Sequence, residues 1–126
     1  MKSHTDLQQS RTLAEILPHD TADQIYEHFT ITKVKDAPKE MLYKHNGDVP
    51  FQICGGIGLP CWSLAALLNL LPNFINRYTK SLYGFADVWY CGYEDEGGEY
   101  LFNIKADNLL DACYEMILKL HELKLI

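Results

Sequence analysis

The segment from Tyr78 to Ile104 constrains the fold more than any other, because two turns cut it into three runs rich in aromatic and β-branched residues. Tyr78 to Phe85 and Val88 to Tyr93 are separated near Gly84–Asp87, and Asp95-Glu96-Gly97-Gly98 precedes the alternating run Glu99 to Ile104. Aromatic and β-branched side chains suit a pleated, half-buried surface. Clusters of Asp and Gly between such runs mark hairpin turns. The expectation is three consecutive antiparallel strands, which become stable once helices cover their apolar face.

Two segments supply those helices. In Pro60-Cys61-Trp62-Ser63-Leu64-Ala65-Ala66-Leu67-Leu68-Asn69-Leu70-Leu71-Pro72, Ser63 stands at the N-cap and Pro72 stops the helix. Trp62 and Leu67 have the spacing of a hydrophobic staple, and Leu64, Leu67, Leu68 and Leu71 form one apolar stripe. The last helix is predicted from Asp107 or Asn108 to about Lys124, with Leu109, Cys113, Met116, Ile117 and Leu120 on one face and Leu110 widening it. Lys119, His121 and Lys124 near its end suit the helix dipole. The expected class is α+β: an antiparallel sheet of three to four strands with two main helices on one face, plus an N-terminal helix. The double-stranded-RNA-binding domain has this order of helix, strands and helix, but the basic helix end and loops that grip RNA are missing here. An order of elements does not carry function.

At the N-terminus, Thr5-Asp6-Leu7-Gln8 reads as a capping box opening a helix from about Asp6 to Leu17, which Pro18 stops. A second box, Thr21-Ala22-Asp23-Gln24, predicts a short helical turn carrying Ile25 and Tyr26. Phe29 to Val34 then reads as a strand. From Asp36 to Pro60, prolines and glycines punctuate the chain, and only Phe51-Gln52-Ile53-Cys54 has the pattern of a brief strand. This is the longest irregular stretch, where a binding site built on shape is expected.

A chain of 126 residues with 48% hydrophobic and 22% charged residues suits one domain spanning 1–126. The apolar run Leu64 to Leu71 is broken by Asn69 and falls far short of the ~20 residues that span a bilayer. The opening Met1-Lys2-Ser3-His4-Thr5-Asp6 lacks the apolar stretch of a secretory signal, so a cytoplasmic setting without membrane contact is expected. Eleven Lys and Arg against seventeen Asp and Glu give a net charge of -6. The nearest thing to a basic cluster, Lys33, Lys35, Lys39 and Lys44, is interrupted by Asp36 and Glu40 and makes a poor phosphate track. Charge therefore disfavours nucleic acid and anionic membranes. Cys54, Cys61, Cys91 and Cys113 match neither a CxxC knuckle nor a zinc ribbon and read as reduced core thiols.

Four features are candidates for chemistry. Gly55-Gly56-Ile57-Gly58 lacks both an immediately following helix and a Gly-Lys-Ser/Thr sequence, so it reads as a flexible loop before a helix, not as a phosphate cradle. Cys61, just before a helix N-terminus, is a nucleophile candidate with His45 as base, which defines a Cys-dependent hydrolase as one alternative. Glu94, Asp95, Glu96 and Glu99 lack the frame of a calcium loop and read as a solvated hairpin tip. No metal site and no cofactor is indicated. The aromatics carry more weight: alternate strand residues point to opposite faces, so they cannot all face one helical layer. An open face bearing Trp89, Tyr93 and Tyr100 is the expected binding surface.

Two segments resemble a known group. Leu59 to Pro72 and Ala106-Asp107-Asn108-Leu109-Leu110-Asp111-Ala112-Cys113-Tyr114-Glu115-Met116-Ile117-Leu118-Lys119-Leu120-His121-Glu122-Leu123 together resemble small proteins encoded by phages and prophage-like mobile elements of gut anaerobes. The resemblance covers about a quarter of the chain. It implies an α+β domain, a phage or mobile-element setting and a cytoplasmic life, but no activity, because the group is functionally uncharacterised. The sequence thus favours a non-enzymatic accessory protein that binds a protein partner, a second copy of itself included. The alternatives are an acidic, antitoxin-like or anti-defence inhibitor and the hydrolase on Cys61.

Overall fold

The computed structural model describes residues 2–28, 40–44, 52, 53 and 56–126. The chain divides into two compact units, residues 1–5 with 64–126, and residues 6–63. Both combine helix with antiparallel sheet, so the protein is an α+β fold.

In the unit of residues 64–126, helix α2 (Leu64–Leu70) is followed by strands β5 (Phe74–Ile75), β6 (Tyr78–Phe85), β7 (Val88–Glu94) and β8 (Tyr100–Ala106), then helix α3 (Leu109–Glu122). The sheet is antiparallel in the order β5-β6-β7-β8. The three expected strands are present, and the unexpected β5 joins them through a tight turn in which Asn76 takes a positive φ of 53°. Helix α3 packs across β7 and β8, and α2 packs against α3. Leu110, Cys113, Met116, Ile117 and Leu120 are fully buried along α3. Its N-cap is Asn108, whose side-chain oxygen accepts from the Asp111 N–H at 2.8 Å. At the other helix, Lys80 Nζ from β6 donates to the carbonyls of Leu68 and Leu71, a cation on the C-terminal groups of α2 that the helix itself leaves unpaired.

In the unit of residues 6–63, helix α1 (Leu7–Ile16) precedes strands β1 (Gln24–His28), β2 (Glu40–Lys44), β3 (Gln52–Ile53) and β4 (Gly56–Cys61). The sheet order is β2-β1-β4-β3, all antiparallel, with α1 against β4. The α1 capping box is shifted one residue from the expected one: Asp6 accepts from the Gln9 N–H at 2.8 Å and the Gln9 side chain accepts from the Asp6 N–H at 3.1 Å. Thr5 is instead fully buried.

The helical turn expected at Ile25 and Tyr26 is corrected to strand. Only His19–Thr21 is helical, as a single 3₁₀ turn, and Gln24–His28 is the strand between β2 and β4. The second capping box fails because its side chains are engaged elsewhere. The Thr21 hydroxyl donates to the Pro18 carbonyl at 2.6 Å and accepts from Trp62 Nε1 at 2.9 Å. Asp23 Oδ1 accepts from the Ser63 N–H at 2.9 Å, and Asp23 Oδ2 accepts from the Ser63 hydroxyl. The irregular stretch expected from Asp36 to Pro60 is corrected too, since Glu40–Lys44 and Gly56–Cys61 are strands. Among the described residues, pairing of β4 with β3 involves only Gly56 and Ile57, and Pro60 pairs with β1 alone, an edge position that tolerates a residue without an N–H. The strand expected over Phe29–Val34 lies outside the described residues.

A tyrosine face as candidate interaction surface

The faces of the C-terminal sheet follow from its register. Leu82 pairs with Cys91 and Cys91 with Ile104, so these three share the side covered by α3, and so do Lys80, Tyr93 and Phe102 in the next row. The opposite side carries Tyr83 beside Tyr90, Ser81 beside Gly92, and Gly92 beside Asn103. On this open side the rings of Tyr83 and Tyr90 stack with centroids 4.6 Å apart and planes 12° apart. Asn103 Nδ2 donates to the Tyr83 hydroxyl at 3.5 Å.

A bulge completes the surface. Tyr93 pairs with Phe102, but Glu94 pairs with Tyr100, so the register slips by one residue between Tyr93 and Glu94. Because strand side chains alternate, this slip puts Tyr100 on the open side, opposite to Tyr93. A Cβ added to Gly92 would lie 3.0 Å from Tyr100 Cδ1, so the Tyr100 ring covers the glycine in the middle of the face. A hydrogen bond with the Tyr83 hydroxyl is the main reason the Tyr100 phenol is pushed up to about 12. Tyr83 and Tyr100 are 37% and 39% exposed, and Leu101 beside them is 37% exposed.

The expected surface of Trp89, Tyr93 and Tyr100 is therefore divided. Tyr100 belongs to the open face. Tyr93 has no exposed surface, and its hydroxyl donates to the Pro72 carbonyl at 2.7 Å; burial pushes its phenol well above the ordinary range. Trp89 lies half-buried on the same side as Tyr93, with its ring 3.0 Å from where a Cβ of Gly84 would be. Tyr83 and Tyr90 lie in the two strand runs expected from the sequence but are not among the residues expected on the surface. The signal was available: they pair directly across the Gly84–Asp87 turn, a two-residue connection in which Ala86 and Asp87 both take positive φ.

Cys61 has no exposed surface and its thiol donates to Gln24 Oε1 at 3.9 Å; His45 lies outside the described residues. Gly56 and Gly58 are strand residues of β4 rather than part of a loop, and Gly55 lies outside the described residues. Of the acidic group, Asp95 holds the turn itself, its Oδ1 accepting from the N–H groups of Gly97 at 3.0 Å and Glu99 at 2.9 Å. A cleft of about 760 Å³ beside this turn is lined by Phe74, Asn76, Arg77, Thr79, Asp95 and Glu96. Under α3, the Cys91 thiol hydrogen-bonds to Cys113; this bond and burial push Cys91 up, and the same bond lowers Cys113. Among the described residues, no three His, Cys, Asp or Glu side chains are grouped to hold a metal ion, and no helix is long and apolar enough to cross a membrane. Comparison with family models, curated proteins and solved structures found no match to this chain.

Proposed function

We propose that this chain is a small, non-enzymatic, phage-like accessory protein that binds another protein through the open face of its C-terminal sheet. The observation that carries the reading is the stack of the exposed Tyr83 on the half-buried Tyr90, continued by Tyr100 over Gly92. Tyrosine gives large contact area at a low cost in side-chain entropy and keeps a polar tip for hydrogen bonds, which is why it is enriched at protein interfaces. Glu94, directly opposite Tyr100, and the exposed Glu96 and Glu99 border this face at its β7–β8 end. The chemistry that fits is a protein surface with an apolar centre and a basic rim, and the net charge of -6 favours the encounter.

The test compares the tagged chain with a Tyr83→Ala/Tyr90→Ala variant in capture from host lysate, with nuclease present. A stoichiometric protein captured by the wild type and lost by the folded variant is the expected result. Equal capture by both, or capture that nuclease abolishes, overturns the proposal.

A further inference from the structure

The two edges of the C-terminal sheet are unequal. β5 stops after two residues, whereas β8 runs for seven, Tyr100–Ala106, without a proline. Short length, prolines, bulges and charges are the usual guards against edge pairing. β8 has a bulge at its start, where Leu101 is the extra residue, and one charged residue, Lys105.

The direction of its backbone groups can be worked out. The two-residue turn makes Phe85 and Val88 a hydrogen-bonded pair, and alternation along β7 then aims the N–H and C=O groups of Trp89, Cys91 and Tyr93 at β8. Their partners Ala106, Ile104 and Phe102 turn their own groups inward. Those of Asn103 and Lys105 therefore face outward. Among the described residues, no backbone hydrogen bond joins this outer edge to another segment.

We propose that the edge is filled by β8 of a second copy, running antiparallel about a two-fold axis at Asn103, so that two four-stranded sheets become one of eight. The strand is complementary to itself in this register. Asn103 pairs with Asn103 of the second copy, and Leu101 with Lys105. On the helix side Phe102 meets Ile104 twice, an aromatic and β-branched pairing of the kind that stabilises sheets. Within β8 no charged residue faces another in this register, so the self-matching row of Phe102 and Ile104 favours a second copy. The contact is isologous and closes on itself, which leaves only the two-residue β5 at either end and stops assembly at two. The pairing stands independently of the tyrosine face, and its test uses no partner protein.

Sedimentation equilibrium of the full chain at micromolar concentration is expected to give about twice the 14.5 kDa chain mass. Asn103→Pro removes an outward N–H and no bond to β7, so it is expected to give a monomer with unchanged circular dichroism. Should that variant fail to fold, cysteines inserted in a Cys54→Ser background decide. Asn103→Cys is expected to form an intermolecular disulfide on oxidation with diamide, because hydrogen-bonded antiparallel pairs place their Cα atoms about 5.5 Å apart, within disulfide range. Lys105→Cys, which faces Leu101 and not itself, is expected to stay unlinked. A monomeric wild type, a dimeric Asn103→Pro, or equal linking of the two cysteine variants overturns the pairing.

Discussion

Tyr100 is turned away from Tyr93 although the two belong to adjacent strands at the same hairpin, and a single extra residue does it. The slip between Tyr93 and Glu94 puts Tyr100 opposite Glu94, on the exposed side, while Tyr93 is sealed beneath the helices. The hairpin thus gives one tyrosine to the core and one to the surface.

Tyr83→Phe is expected to return the Tyr100 phenol from about 12 toward the ordinary value near 10, because the hydrogen bond with Tyr83 is the largest cause of the shift. A folded-state pKa raised above the unfolded one means that the neutral phenol contributes its stability below about pH 10 and loses it as pH rises through 12. NMR titration of ring-labelled tyrosine in both proteins checks the shift. A Tyr100 titration unmoved by the substitution would remove Tyr83 as its cause.

Tyr93→Phe takes away a buried hydroxyl that donates to the Pro72 carbonyl at 2.7 Å. The ring still packs, but the carbonyl loses this donor. The expected loss is about 1–2 kcal/mol in urea denaturation, with little change in the slope.

Gly92→Ala is expected to destabilise the fold by about 1–3 kcal/mol, the range of overpacking. The new methyl would meet the Phe102 carbonyl oxygen at 2.8 Å, which is backbone and cannot swing aside, as well as Asn103 Oδ1 at 2.8 Å. Thermal unfolding measures it, and a neutral result would mean that the two strands separate there at no cost.

At the β6–β7 turn, Ala86 and Asp87 take φ of 51° and 63°. Left-handed backbone is unfavourable for alanine and suits Asn-Gly in a two-residue hairpin. Ala86→Asn with Asp87→Gly is therefore expected to raise stability by about 1 kcal/mol, read as a higher denaturation midpoint.

What the sequence revealed followed the strength of local signals. The strands at Tyr78–Phe85 and Val88–Glu94, and the helix Leu109–Glu122, came close to their expected ends because periodicity, turn chemistry and the Asn108 cap agree there. That Tyr93 and Tyr100 lie on opposite faces was not legible, since a one-residue bulge leaves no mark in an alternating pattern. Nor was the strand at Gly56–Cys61, where glycines and a proline argue against sheet and pairing with Gln24–Glu27 and Gln52–Ile53 overrides them. Thr21 and Asp23 imitated a helix start because the groups they bind, Pro18, Trp62 and Ser63, include two that are distant in sequence.

The complete burial of Cys61, Cys91 and Cys113 gives the molecule a built-in clock. A thiol reacts with an alkylating reagent only when it meets solvent, so each of these sulfurs reports the opening of its own neighbourhood. Cys61 lies at the end of β4, Cys91 in β7 and Cys113 in α3, so labelling resolved by peptide mass times the opening of the two units separately.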